Sequence, residues 1–382
     1  EEMGIIYLGP VDGSDMKGIL RLLKEASNIE GPVMVHVLTH KGAGYLPAER
    51  HPARFHGTEP FDIETGLPSK PRVKANYTDI FSTVMRKLGD RDEKVVAITA
   101  AMTDGTGLKR FHNMFPGRFF DVGIAEEHAV TFAAGLAAAG LKPIFAVYSS
   151  FLQRAYDQIL HDVCIQNLPV VFAIDRAGLV GSDGETHQGI FDISYLSTIP
   201  NMTIMAPKNK WELSDMIKYA VDFPTPIAVR YPRGEAYDGL KEYRQPISVG
   251  KSEWIYRESE IALVALGSMV KTAEKVHAAL REEGIPASLI NSRFAKPLDT
   301  QMLMEAASKH TLVVTMEENV INGGFGEHIT RFYNEQGIYV NVLNIAIPDE
   351  YVEHGNVDIL YHEVGIDADT ILKRIKEVYH PL

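Results

Sequence analysis

Two adjacent carboxylates and a histidine, Glu126, Glu127 and His128, lead into a long Ala/Gly-rich run in RFFDVGIAEEHAVTFAAGLAAAGLKPIFAVYSSFLQRAYDQILHDV, residues 118–163. A carboxylate in apolar surroundings favours its protonated form and can hold or share a proton near neutral pH. The plain alternative is a solvated carboxylate at a helix start, where the macrodipole favours negative charge. Further along, YSSFLQRAYDQ ends an apolar run at Tyr148, offers Ser149 or Ser150 as a helix cap, and sets Phe151 and Arg154 three apart on one helical face. Tyr148 and Phe151 suit a stacking wall for a planar heterocycle, and equally suit ordinary core. The stretch AIDRAGLVGSDGETHQGIFD then carries Arg176, Asp183, Glu185 and His187 in a long Gly-rich loop, a setting that is usually functional or mobile. Arg176 with Arg154 and with Arg233 of RYPRG could grip a phosphate through paired N–H donors, a geometry lysine lacks; as solvated surface arginines they need no ligand.

Histidines 36, 40, 51, 56 and 187 form no HxxxH or HxH pair on a predicted helix, so no metal site is assigned to them. KGAGY (41–45) is shorter than a GxxxxGK[ST] phosphate loop, although its glycines would let backbone N–H groups approach an anion.

These residues need elements to hold them. Residues 4–45 read as strand, Gly/Pro turn, amphipathic helix, Gly-Pro break and a second strand at 33–39: one β-α-β unit, unable alone to bury both faces of its sheet. Leu46 to Pro71, rich in Pro, Gly and His, reads as a linker or ordered crossover loop. From about 75 to 234, apolar strands at 95–99, 118–123, 142–148, 168–175 and 203–206 alternate with helical patterns, which predicts a mostly parallel sheet covered on both faces. Ligands sit beyond the carboxyl ends of such strands, where Glu126, Tyr148 and Arg176 fall. A third region repeats the alternation at 261–268, 269–283 and 311–319. The fold class is α/β, with regions 1–70, 71–240 and 241–382.

The composition agrees with two or three domains: 382 residues exceed one core. A formal net charge of −12 argues against nucleic acid or an anionic membrane as the partner. Ala129–Leu141, the longest nearly uncharged stretch, falls short of the roughly 20 residues of a membrane helix. The single Cys164 excludes an intrachain disulfide framework, fits a reducing compartment such as the bacterial cytoplasm, and is expected in the core; a plastid stays open, since a chain starting at Glu1 reads as beginning within a domain.

Together YLGPVDG, KGAGYLPAE, FHG, TAAM, DVGIAEEHAVTFAAGLA, YSSFLQRAYDQ, IDRAGLVGSDGETHQG, IPNM, RYPRG and TMEEN-INGGFG resemble, in order and over nearly the whole chain, the thiamine-diphosphate enzymes of the transketolase superfamily, most closely its 1-deoxy-D-xylulose-5-phosphate synthase branch. The resemblance implies a truncated first domain with linker at 1–70, a pyrimidine-binding domain at 71–240 and a transketolase-like C-terminal domain at 241–382. It implies that Glu126 hydrogen-bonds the aminopyrimidine nitrogen of thiamine diphosphate, that Tyr148, Phe151 and Lys41 join it around the cofactor, and that Tyr148, Arg154, Arg176, Asp183 and Arg233 hold glyceraldehyde 3-phosphate for its condensation with pyruvate. His187 and His56 would transfer protons or orient substrate. A homodimer is expected, with the small-residue helix after Glu126 packed at the interface or in the core. Two departures stand out. Ser14 replaces the family's usual His, and the GDG motif with its following Asn, which coordinates Mg²⁺ on the diphosphate, is absent, so no metal ligand is assigned and the chain alone is expected to be inactive. Two other readings stay open: the beta subunit of a 2-oxo acid dehydrogenase, whose partner supplies the GDG motif, and a non-catalytic binding or regulatory relative.

Overall fold

The computed structural model describes residues 2–58, 60–69 and 73–380; the expected boundary at 70/71 and the end of the linker at Pro71 lie outside the described residues. Contacts divide the chain into two compact units, Glu1–Val73 and Lys74–Leu382. In the first, β1 (Ile6–Asp12) and β2 (Val33–Leu38) pair in parallel across the helix Met16–Ala26, the crossover that a parallel pair requires. Asp15 caps that helix, its carboxylate accepting the Gly18 N–H at 3.0 Å. Ser14 turns back on Asp12, its hydroxyl and its N–H both donating to Asp12 Oδ1.

In the second unit the strands are β3 (Val95–Thr99), β4 (Phe119–Asp121), β5 (Lys142–Tyr148), β6 (Val171–Asp175), β7 (Thr203–Met205), β8 (Ile227–Arg230), β9 (Glu253–Tyr256), β10 (Glu260–Ala265), β11 (Ala287–Asn291), β12 (Phe294–Lys296), β13 (His310–Val320) and β14 (Asn341–Ile347). Seven form one sheet in the order β12-β7-β8-β6-β5-β3-β4, parallel except for β12; five form another in the order β14-β13-β10-β11-β9, parallel except for β9. Strands β3, β6 and β8 are buried at every residue, as continuous apolar runs covered on both faces must be.

The structure adds to and departs from the sequence expectations in several places. Ile227–Arg230, Glu253–Tyr256 and Asn341–Ile347 are strands outside the expected set. The first is four residues hemmed by Pro226 and Pro232, too short for a periodicity to register. Phe294–Lys296, from the expected third region, pairs antiparallel with β7 and completes the edge of the other sheet. The helix Glu126–Ala138 buries Ala129, Val130, Ala133, Ala134 and Ala137 and leaves His128, Thr131 and Gly135 exposed in the single chain, which leaves open both an interface and a core role for it. Last, Ser149 and Ser150 lie inside the helix Ser149–Leu152 rather than capping it, and Tyr148 holds the cap position without a side-chain bond.

A buried ion cluster ties the two sheets' neighbourhoods together. Lys208 Nζ lies 2.6 Å from Glu253 and 3.2 Å from Glu212, while Arg293 lies 2.8 Å from Glu212 and 3.0 Å from Glu253, all four side chains buried. Removing one partner would strand opposite charges away from water, which makes the cluster a point of high sensitivity.

Candidate active site

The carboxyl ends of β4, β5, β6 and β8 meet at one edge of the seven-stranded sheet, since Thr99 pairs with Asp121, Tyr148 with Asp175 and Ile174 with Arg230. Asp121 organises the loops there: it accepts N–H bonds from Ala101 (2.7 Å) and Gly123 (3.1 Å) and the Thr103 hydroxyl (2.8 Å), joining the TAAM loop to the turn that delivers Glu126.

Glu126 opens its helix at the first turn, where the macrodipole favours a carboxylate. It is 3% exposed. Its Oε2 is buried and has no hydrogen-bond partner, the nearest cation being Arg154 Nη1 at 3.7 Å. An ionisable oxygen withdrawn from water without a partner is costly, and an unsatisfied atom of this kind is a place for an incoming group. Arg154, half exposed, also stands 3.5 Å from Glu127. The segment carrying it is not regular α-helix: Gln153–Ala155 is 3₁₀ and Ile159–Cys164 is a π-turn.

Tyr148 ends β5. Its ring meets Phe151 at 5.4 Å, and Phe151 meets His187 edge-on at 5.1 Å, so three rings line up from β5 to the loop after β6. Arg176 lies over the Tyr148 ring at 3.7 Å, a cation–π contact of the kind worth about 0.5–2 kcal/mol. Its guanidinium donates to Gly105 O (2.9 Å) and Asp175 Oδ1 (3.2 Å). Arg176 adopts φ +61°, a conformation that costs a residue with a side chain about 1–3 kcal/mol. Gly105 has no room for anything larger, because a β-carbon there would lie 1.7 Å from the Tyr148 hydroxyl. Asp175 is 0% exposed and also accepts the Thr78 hydroxyl at 2.9 Å; burial pushes its carboxyl up to about 6, against the lowering effect of Arg176. Burial likewise raises the Tyr148 phenol, with Arg176 and Arg233 pulling it down and Asp175 and Asp183 pushing it up.

The loop from Arg176 to Gly189 is closed at its base by Gly178 N–H to Gly189 O (2.6 Å) and Gly189 N–H to Gly178 O (2.8 Å). Beyond it Arg233 Nη1 donates to Asp183 Oδ2 at 2.6 Å and to Val180 O at 3.4 Å. His187 Nδ1 is 2.9 Å from the Thr186 hydroxyl. The structure therefore groups Tyr148, Phe151, His187 and Arg176, sets the Arg233–Asp183 pair within electrostatic reach of Tyr148, and places Arg154 on the Glu126 carboxylate. Sequence reasoning overlooked Asp175, Asp121, Gly105 and Thr78. Only Asp175 carried a signal, as an acid ending a fully apolar strand run directly before Arg176.

Lys41 and His56 belong to the first unit, where they line a cavity of about 310 Å³ with Tyr45, Phe55 and Phe61. Gly42 and Gly44 take φ +82° and +90°, but the Gly44 N–H is spent on Glu49 Oε1 at 2.9 Å and is not free for an anion. Cys164 is buried and unpaired. Among the described residues no group of three or more His, Cys, Asp or Glu could hold a metal ion, and no helix is long and apolar enough to cross a membrane.

Three families match the chain. "Transketolase, pyrimidine binding domain" covers residues 73–238, "Transketolase, C-terminal domain" covers 250–371, and "1-deoxy-D-xylulose-5-phosphate synthase" covers 1–39. Among curated relatives, the 1-deoxy-D-xylulose-5-phosphate synthase of Lachnoclostridium phytofermentans is 56% identical over 98% of this chain and 60% of its own length. That of Caldanaerobacter subterraneus subsp. tengcongensis is 50% identical over 99% and 61%. The chain thus spans about 60% of the length of these relatives. A solved "Split gene transketolase, inactive beta4 tetramer" is similar with a TM-score of 0.72 and 26% identity, covering 80% of this chain and 98% of that one. Transketolase from Campylobacter jejuni shares the fold, with a TM-score of 0.67 at 16% identity over 98% of this chain and 68% of that one.

Proposed function

The chain belongs to the transketolase superfamily, and on that premise we propose that it is the pyrimidine-binding and C-terminal portion of a 1-deoxy-D-xylulose-5-phosphate synthase. In this reading pyruvate and glyceraldehyde 3-phosphate condense to 1-deoxy-D-xylulose 5-phosphate and carbon dioxide, a step toward isoprenoid precursors, thiamine and pyridoxal, in a bacterial cytoplasm. The observation that carries it is the buried, unpartnered Oε2 of Glu126 together with the Tyr148–Phe151 ring pair, a hydrogen-bonding group and a stacking surface of the kinds an aminopyrimidine needs. Thiamine diphosphate, when bound, supplies the electron sink for loss of carbon dioxide and carbon–carbon bond formation.

The chain's own residues have narrower roles. Glu126 holds a proton at Oε2 against the ring nitrogen, and its burial keeps water from competing for that bond. Tyr148 and Phe151 stack on the ring. Arg176 and Arg233 bind the acceptor phosphate, while Arg154 and Asp183 orient the acceptor. His187 moves a proton or aligns substrate.

A chain of this extent is proposed to be inactive by itself and to work as part of a homodimer of complete subunits. The description of the split-gene tetramer as inactive supports this. Purified chain supplied with thiamine diphosphate, Mg²⁺, pyruvate and glyceraldehyde 3-phosphate should show no synthase turnover; robust turnover would sink the proposal. In a complete enzyme Glu126→Gln should cut kcat by about 10²–10⁴, the usual worth of a positioned proton-transfer group, without loss of fold by circular dichroism. Arg233→Ala should raise the KM for glyceraldehyde 3-phosphate far above any change in the pyruvate KM, and equal effects would argue against a phosphate contact.

A further inference from the structure

Strand β13 ends in three consecutive buried polar residues, Glu317, Glu318 and Asn319. Glu317 serves its own neighbourhood, both its oxygens accepting the first N–H groups of the helix Phe325–Glu335, from Phe325 and Gly326, each at 2.8 Å. Glu318 reaches further. It is 1% exposed, and its carboxylate joins two separate segments to β13. Oε1 accepts the Leu179 N–H at 2.7 Å and Oε2 accepts the Ser268 hydroxyl at 2.5 Å. Its backbone carbonyl accepts Arg230 Nη2 at 3.1 Å, and that guanidinium is held by Asp192 at 2.7 and 3.1 Å.

Leu179 lies in the loop that carries Asp183 and His187. Gly178 lies against the carboxylate, so that a β-carbon there would come 2.2 Å from Glu318 Cδ, and its φ of +86° would strain a side chain as well. The neighbours of Glu318 hold the chain just after that loop: Val320 N–H donates to Ile190 O at 2.8 Å, and Asn319 Oδ1 accepts the Ile193 N–H at 3.2 Å. Burying a carboxylate is an expensive way to join segments, since apolar packing of similar volume would stabilise the fold as well or better. What a carboxylate offers over apolar packing is direction, because it fixes the Leu179 N–H and hence the course of the backbone leaving β6.

We propose that Glu318 is a positioning residue, a latch by which the C-terminal region sets the Arg176–Gly189 loop and, through Asp183 and His187, the acceptor side of the site. The kinetic part rests on the function proposed above; the structural part does not. The test uses the complete enzyme with its cofactor, in wild-type, Glu318→Ala, Glu318→Gln and Ser268→Ala forms, and reads amide hydrogen exchange alongside steady-state kinetics. In Glu318→Ala, exchange across 179–188 should accelerate about tenfold or more while the 126–130 segment stays as in wild type. The KM for glyceraldehyde 3-phosphate should rise about tenfold with the pyruvate KM within about twofold. Glu318→Gln, which keeps an oxygen for the Leu179 N–H, should recover most of both. Unchanged exchange in 179–188, or a parallel rise in both KM values, overturns the latch. Should Glu318→Ala fail to fold, Ser268→Ala decides: about two- to fivefold faster exchange in 179–188 is expected, and none refutes it. Should wild-type enzyme lack synthase turnover, the functional reading fails and the exchange data alone judge the latch.

Discussion

Replacing Asp175 by Asn removes one negative charge from the most enclosed corner of the site, and its consequence can be worked from the structure. The carboxyl is 0% exposed at the end of a central strand, with Thr78 and Arg176 as its partners. Burial dominates over both and lifts its pKa from 3.8 to about 6. The folded protein therefore holds this proton more tightly than the unfolded chain. Stability from the group is fully present below about pH 4, where both states are protonated, and is lost as pH rises through about 6. At about 1.4 kcal/mol per pH unit the loss approaches 3 kcal/mol, and most of it falls between about pH 4 and pH 7. Asn cannot ionise, so the difference between wild type and Asp175→Asn isolates the group from every other titration. Urea unfolding at intervals from about pH 4.5 to pH 7.5 should show wild type losing roughly 2 kcal/mol relative to the variant across the range. A difference flat to within about 0.5 kcal/mol, or one that grows in wild type's favour with rising pH, would mean that Arg176 outweighs desolvation and that this account of the corner is wrong.

Two further outcomes follow from the packing. Gly105→Ala pushes a β-carbon to 1.7 Å from the Tyr148 hydroxyl and should destabilise by about 1–3 kcal/mol; adding Tyr148→Phe should recover about 1 kcal/mol by removing that oxygen, and a double variant no more stable than the single would contradict the contact. Glu253→Ala leaves Lys208 and Arg293 with Glu212 as their one remaining carboxylate and should cost about 3–5 kcal/mol in chemical unfolding, whereas a loss below about 1 kcal/mol would show that water reaches the cluster.

Much of the fold was legible because it is local. Largely apolar runs such as Val95–Thr99 and Lys142–Tyr148 bury both faces at their centres, and they are strands over the expected residues. Glu126, Tyr148 and Arg176 could be placed near strand ends on the same ground, since each follows such a run within a few residues. The matching motifs carried the family. What the sequence left undecided depends on segments distant in the chain. The short strand Phe294–Lys296 crosses to the neighbouring sheet because β7 offers an open edge there, which no window around residue 294 reveals. The partners of the three arginines likewise needed coordinates: Arg154 goes to Glu126, Arg176 to Asp175 and the Tyr148 ring, and Arg233 to Asp183. Which oxygen of Glu126 is left without a partner, and which buried carboxylate holds the loop after β6, are outcomes of three-dimensional exclusion of water. Local patterning determined the elements and the identity of the reactive residues. Tertiary packing decided their partners, because a charge removed from water takes the nearest opposite group in space, wherever that group lies in the sequence.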